Sequence, residues 1–293
     1  MTFDVTLLLA AFAGGLFGAA IGTLPAFIFT GFTVIAGVAV AAAGGGDDIL
    51  TKVAFGPVFG PHIAFGGGAA ATAYAYGKGL LPSGRDVTPA LAGLNRPDVL
   101  LVGGLFGAGA YLFEAALGAA GLRGWTDSIA LTVVVSAIVA RLAFGSAGLF
   151  GATGDGGSRF QPTADESWVP WQQTGAQLLT IGLGAGLLSA WMALELGADR
   201  GGAVLGFGIA AATLIFAQIG AQVPVTHHIA LPAAAAALAS GNLYVGAAGG
   251  IAGAAFGELW SRVFLLHGDT HIDPPAAAIA TMIAVISVAA AFL

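Results

Sequence analysis

Long apolar runs alternate along the chain with short clusters of Gly, Pro and charge. Breaking the sequence at those clusters leaves ten apolar segments, roughly 5–22, 24–43, 53–77, 98–120, 128–149, 174–195, 202–220, 222–240, 243–265 and 275–293. Most approach the ~20 residues a helix needs to cross a bilayer. With neutral histidines, nothing is ionised between Asp4 and Asp47, between Lys52 and Lys78, or between Arg200 and Glu258. The pattern predicts an all-α integral membrane protein, multi-pass in the cell membrane. Composition points the same way: 57% of the residues are hydrophobic and 8% charged, against about a quarter charged in a soluble domain. A chain so poor in charge cannot cover a water-exposed globule. The first run, from Val5, follows Asp4 and lacks a basic leader, so it is expected to stay in the protein rather than be removed as a secretory signal.

The longest polar stretches run from Lys78 to Asp98 and from Gly151 to Gln173. The second carries Ala164-Asp165-Glu166 and no apolar periodicity, and it reads as a linker (151–173) between a first membrane repeat (1–150) and a second (174–293). Internal matches support that division. Pro61-His62-Ile63-Ala64-Phe65-Gly66 resembles His227-His228-Ile229-Ala230-Leu231-Pro232, and Gly103-Gly104-Leu105-Phe106-Gly107-Ala108 resembles Gly249-Gly250-Ile251-Ala252-Gly253-Ala254. Asp127 and Asp273 stand at corresponding segment starts. Five crossings per half force the second half into the membrane from the opposite side, so the expected plan is two five-segment inverted repeats with a site where they meet. Gly56, Pro57, Gly60 and Pro61 interrupt the third segment, and Pro224 and Pro232 the eighth, so both are expected to be broken or re-entrant. If every segment crosses, Lys78, Arg85, Arg96, Arg159 and Arg262 fall on one side and Lys52, Arg123 and Arg200 on the other. The positive-inside tendency then leaves both termini outside.

Polar residues inside such segments are costly and therefore candidates for function. His62 and His228 occupy matching places in the two broken segments and are expected to share a site, with Thr226 and His227 beside the second. Glu114 and Glu258 lie in the fourth and ninth segments, and Arg141 in the fifth is their candidate counter-ion. Asp127 and Asp273 read as helix caps, Asp273 being followed by Pro274 and Pro275. His267, Asp269, His271 and Asp273 together could ligate a divalent cation, although their spacing is no recognised signature. Gln218 and Gln222 can line a polar path or bond neighbouring helices.

Several classes are disfavoured. The chain has no cysteine, hence no disulfide framework or thiolate metal site. Its net charge of −6 and lack of a basic patch argue against nucleic acid. No Gly-rich stretch ends in Lys-Ser or Lys-Thr, which disfavours a nucleotide-driven pump, and no cofactor is expected. A bilayer, a small solute or ion, and further copies of the chain are the candidate partners. Two inverted five-segment halves, each carrying a histidine in its broken segment, are similar in outline to ammonium transporters and, less closely, to urea channels. The characteristic motifs of neither family surround His62 or His228, so the resemblance implies an architecture and no substrate. The expected function is a channel or secondary transporter for a small polar solute or ion. An integral-membrane enzyme using His and carboxylate groups, or a membrane scaffold subunit, is the alternative.

Overall fold

The computed structural model describes residues 4–153, 157–161 and 167–291. The Ala164-Asp165-Glu166 part of the expected linker lies outside the described residues. The protein is all-helical, with no strand among the described residues. Ten α-helices follow in order: α1 Val5–Ile21, α2 Thr23–Ala42, α3 Gly66–Gly77, α4 Pro97–Ala119, α5 Ser128–Phe144, α6 Gly175–Leu196, α7 Gly202–Gln218, α8 His227–Ser240, α9 Leu243–Trp260 and α10 Pro274–Ala290. Their starts follow local chemistry. The side chains of Asp4, Asp127, Thr174, Asn242 and Asp273 each accept backbone N–H groups from the first turn they precede, satisfying donors that have no partner inside the helix. The turn between α1 and α2 is a single residue, Gly22, at φ 102°, a conformation glycine adopts without steric cost.

Helices α2, α4 and α6 are long and apolar enough to cross a membrane, and α1, α5, α7 and α10 are shorter apolar helices. Side chains are distributed inside-out relative to a water-soluble bundle. Leu9, Leu105, Leu142, Leu188 and Ile219 face outward, at 63%, 64%, 63%, 65% and 77% exposure, while Ala and Gly dominate the interior. Small residues let backbones touch. A side chain on Gly15 would strike the backbone of Gly103 and Gly107 where α1 packs on α4, and one on Gly186 would meet Gly250 and Ala247 where α6 packs on α9. At the crossing of α2 and α7, Gly31 rests on the backbone of Gly208, Ala211 and Ala212. The pairing runs in parallel through the chain: α1 on α4 and α6 on α9, α3 on α4 and α8 on α9, with α2 against α7 and α5 against α10 between the two sets.

The third segment is broken as expected. Two π-helical turns, Ile49–Ala54 and Pro61–Phe65, flank an irregular stretch before α3. The hydroxyl of Thr30 donates to the carbonyl of Phe59 at 2.6 Å, which answers one acceptor that the irregular backbone frees. The eighth segment is interrupted at Pro224, as expected, but not at Pro232. Helix α8 runs continuously through Pro232, and the irregular stretch lies upstream, over 221–226. Proline lacks the N–H that would bond the carbonyl four residues back. That carbonyl, on His228, instead lies against Gly253 of α9, where the missing side chain allows the approach.

Candidate functional site

Helices α2 and α5 meet α7, α8 and α10 around a cavity of about 190 Å³. Its wall is mostly aliphatic, with a cluster of aromatic rings in it. Phe27 packs on Phe65 and Phe207 with ring centroids 5.7 Å apart in each case, and on His227 at 4.7 Å; Phe55 meets Phe207 at 5.8 Å and Phe65 meets His271 at 5.8 Å. Trp168 closes another part of the lining. The titratable side chains of the lining are Asp127, His227, His271 and Asp273, and no Lys or Arg contributes to it.

Both carboxylates arrive as helix caps. Asp127 Oδ1 accepts the Ala130 amide and Asp273 Oδ2 the Ala276 amide, each at 2.8 Å. The other Asp273 oxygen is 3.2 Å from His271 Nε2, and His271 Nδ1 is 3.2 Å from the Arg85 carbonyl, so that imidazole is held in orientation from both sides. Helices α5 and α10 run antiparallel: the Thr126 hydroxyl, just before α5, donates to the Ala280 carbonyl at 2.8 Å, and Arg141 near the far end of α5 meets Thr270 just before α10. The first turns of both helices nonetheless border one space, for Asp127, Ile129 and Ala130 of one and Asp273, Pro275 and Ala276 of the other line the same cavity. His227 lies 6% exposed beside it, and its Nδ1 has no hydrogen-bond partner among the described residues. The loop after α3 closes one flank, for Val87 belongs to the lining and its carbonyl accepts the Leu24 amide at 2.8 Å.

Of the residues singled out in the sequence, Asp127, His227, His271 and Asp273 line this cavity, whereas His62 and His228 do not. His62 is buried between the broken third segment and its neighbours, its Cε1 close to Gly60. His228 is fully buried against Gly257 of α9, with the Trp168 ring 5.7 Å away and neither ring nitrogen bonded. Thr226 stands just before α8, and its carbonyl accepts the amides of Ile229 and Ala230.

The expected ion pairing is corrected. Glu114 pairs with Arg123 and accepts from Ser128 Oγ at 2.9 Å, and Glu258 pairs with Arg262 at 2.8 Å. Arg141 serves neither. It is 0% exposed, and its guanidinium donates to the carbonyls of Leu149, Phe264 and Thr270 and to the Thr270 hydroxyl. It ties the end of α5 to the turn after α9. The weak metal candidates are likewise dispersed. His267 faces the Arg159 carbonyl at 3.4 Å, Asp269 takes the Ser146 and Ala147 amides, and His271 pairs with Asp273 alone. No group of three or more such side chains converges on one point among the described residues. Gln218 donates to the Thr88 carbonyl at 3.2 Å, and Gln222 is exposed.

Sequence reasoning missed the segment just before α6. Gln172 bonds Val225 reciprocally, at 2.9 Å to its carbonyl and 2.8 Å from its amide, and Trp171 Nε1 donates to the Val223 carbonyl at 2.9 Å. These side chains satisfy the irregular backbone ahead of α8, and Trp168 extends the same segment into the cavity wall. Two Trp residues in an otherwise polar stretch were the available signal.

No curated protein and no solved structure matches the chain. One family matches it twice, over residues 1–163 and again over residues 152–292. The chain belongs to that family, a family of unknown function (DUF7973).

Proposed function

We propose that this protein is a multi-pass membrane transporter or channel for a small solute, and that the cavity between its two halves is the solute site. The observation that carries the reading is the composition of that cavity: each half contributes the capped first turn of one helix, α5 or α10, to one space. Transporters assembled from inverted repeats bind solute where the repeats meet and aim helix ends at it. Three further observations support the reading. Large apolar side chains face outward around an interior of Ala and Gly, which suits lipid as the surrounding solvent. The helices pair in parallel fashion in the two halves, and one family matches each half separately. Ten crossings in two inverted sets of five account for all of these together.

The test is flux. In proteoliposomes the protein should give saturable movement of at least one solute from a panel of cations, anions and neutral polar molecules. The double change Asp127→Asn with Asp273→Asn should reduce that flux, while His228→Ala leaves the solute preference intact, since His228 lies outside the cavity. Asparagine retains the helix cap and removes only the charge. Empty-liposome rates across the whole panel would reject the proposal.

A further inference from the structure

Four features of the cavity constrain the charge of what can occupy it. Among the described residues Asp127 and Asp273 are its acidic groups and no Lys or Arg side chain lines it, and the rings of Phe27, Phe55, Phe65, Phe207 and Trp168 stand in a wall that is otherwise mostly aliphatic. His227, more than nine-tenths buried, has a ring nitrogen left without a partner among the described residues. Helix N-termini ordinarily attract anions. Here that attraction is already answered, because each terminus holds its own aspartate through the Ala130 or Ala276 amide. An entering anion would confront those carboxylates at short range in a poorly screened space. It would also meet aromatic rings, whose π-faces carry negative charge density.

A cation finds the opposite. Ring faces attract positive charge within about 6 Å of the centroid, most strongly where water is excluded. Asp127 takes the Ala130 amide on Oδ1, and a carboxylate's two oxygens can accept several donors, so the group has capacity left for a cation at the wall. A bare inorganic ion does not exploit such a wall, since it loses hydration and gains few oxygen ligands: the four polar groups of the lining do not converge as a coordination shell. A positive charge dispersed over methyl or methylene groups suits both the rings and the carboxylate.

We infer that the cavity binds a small organic monocation, a substituted ammonium held by the Phe27–Phe65–Phe207 wall and the Asp127 and Asp273 carboxylates. This rests on the reading of the cavity as the solute site and adds the class of solute.

Calorimetry on the purified full-length protein in detergent tests it, with tetramethylammonium as the cationic probe, tert-butanol as a neutral branched analogue and pivalate as an anionic one. Saturable binding is expected for tetramethylammonium alone. It should weaken about tenfold in Phe27→Leu, which removes a ring face while keeping an apolar wall, and again in Asp127→Asn. Unchanged helical circular dichroism in both variants shows that the fold persists. Binding of tert-butanol or pivalate in preference to tetramethylammonium overturns the inference, as does tetramethylammonium binding that neither substitution alters, or no saturable binding of the cation at all. Flux in proteoliposomes, measured on the same solutes, separates the two claims. A cation that binds but does not move upholds the inference and defeats transport, whereas a neutral or anionic solute that moves upholds transport and defeats the inference.

Discussion

The stretch leading into α3 and the stretch leading into α8 hold matching positions in the two halves but are built differently. The first satisfies itself locally: Phe59 N bonds Val53, Gly60 N bonds Gly56, and the adjacent helix α2 supplies the Thr30 hydroxyl. The second takes its partners from the segment just before α6, both hydrogen bonds of Val225 from Gln172 and one at Val223 from Trp171. Any irregular backbone away from water must find partners, and similar sequences reach different solutions according to what lies nearby. The consequence is that His62 and His228, equivalent along the chain, have unlike surroundings. Asp127 and Asp273 differ from them in this respect, for both remain caps and both reach the cavity.

That contrast can be broken at its asymmetric points. The largest effect is expected at Arg141, whose guanidinium answers three carbonyls; Ser287, which the internal sequence match sets against it, serves as the control. Arg141→Leu strands three carbonyls, and at about 1–3 kcal/mol for each unanswered buried group it should cost roughly 3 kcal/mol or more. Thermal unfolding in detergent checks this, with Ser287→Ala expected to stay within about 0.5 kcal/mol. Next is the α2–α7 crossing. Gly31→Val has to displace backbone of the partner helix and should destabilise by about 1–3 kcal/mol, whereas Gly184→Ala, where nothing lies within 4 Å, should be nearly neutral.

Gln172→Ala tests whether the second break depends on the segment before α6. It should cost about 1–2 kcal/mol and raise hydrogen exchange at Val225 without changing exchange around Phe59. The smallest expected effect is a pH dependence outside the apolar segments. Burial by itself would raise the Asp269 carboxyl, but the amide and hydroxyl of Ser146 and the amide of Ala147 donate to it and hold it below the usual carboxylate range. A depressed folded-state value adds stability that is complete above the unfolded-state value near 4 and disappears as pH falls below it. Unfolding midpoints should therefore drop below about pH 4 more steeply in the wild type than in Asp269→Asn.

The positions of the helices were largely legible because charge, Gly and Pro punctuate an apolar chain. The seventh segment was placed at 202–220 and the helix runs Gly202–Gln218; the tenth was placed from 275 and begins at Pro274. Asp127 and Asp273 were legible as caps because each stands at the start of an apolar segment, Asp273 with Pro274 and Pro275 behind it. What faces inward was not. When every face of a helix is apolar, periodicity cannot distinguish Phe27, which lines the cavity, from Phe29 two residues on, which is 48% exposed. The partner of Glu258 was legible in principle, since Arg262 lies four residues ahead on the same helical face. Arg123 reaches Glu114 only through the turn between α4 and α5, which no local spacing reveals.

The account centres on an exterior that faces lipid and a cavity between the halves that water or solute can enter. Because the natural chain has no cysteine, single cysteines at Ala276 in the cavity wall and at Leu105 on the outer face give a direct comparison. A membrane-impermeant thiol reagent applied to both sides of protein reconstituted in lipid should modify Ala276→Cys and leave Leu105→Cys unreacted, although Leu105 is 64% exposed and Ala276 only 5%. Rapid modification of Leu105→Cys with Ala276→Cys inert would contradict it.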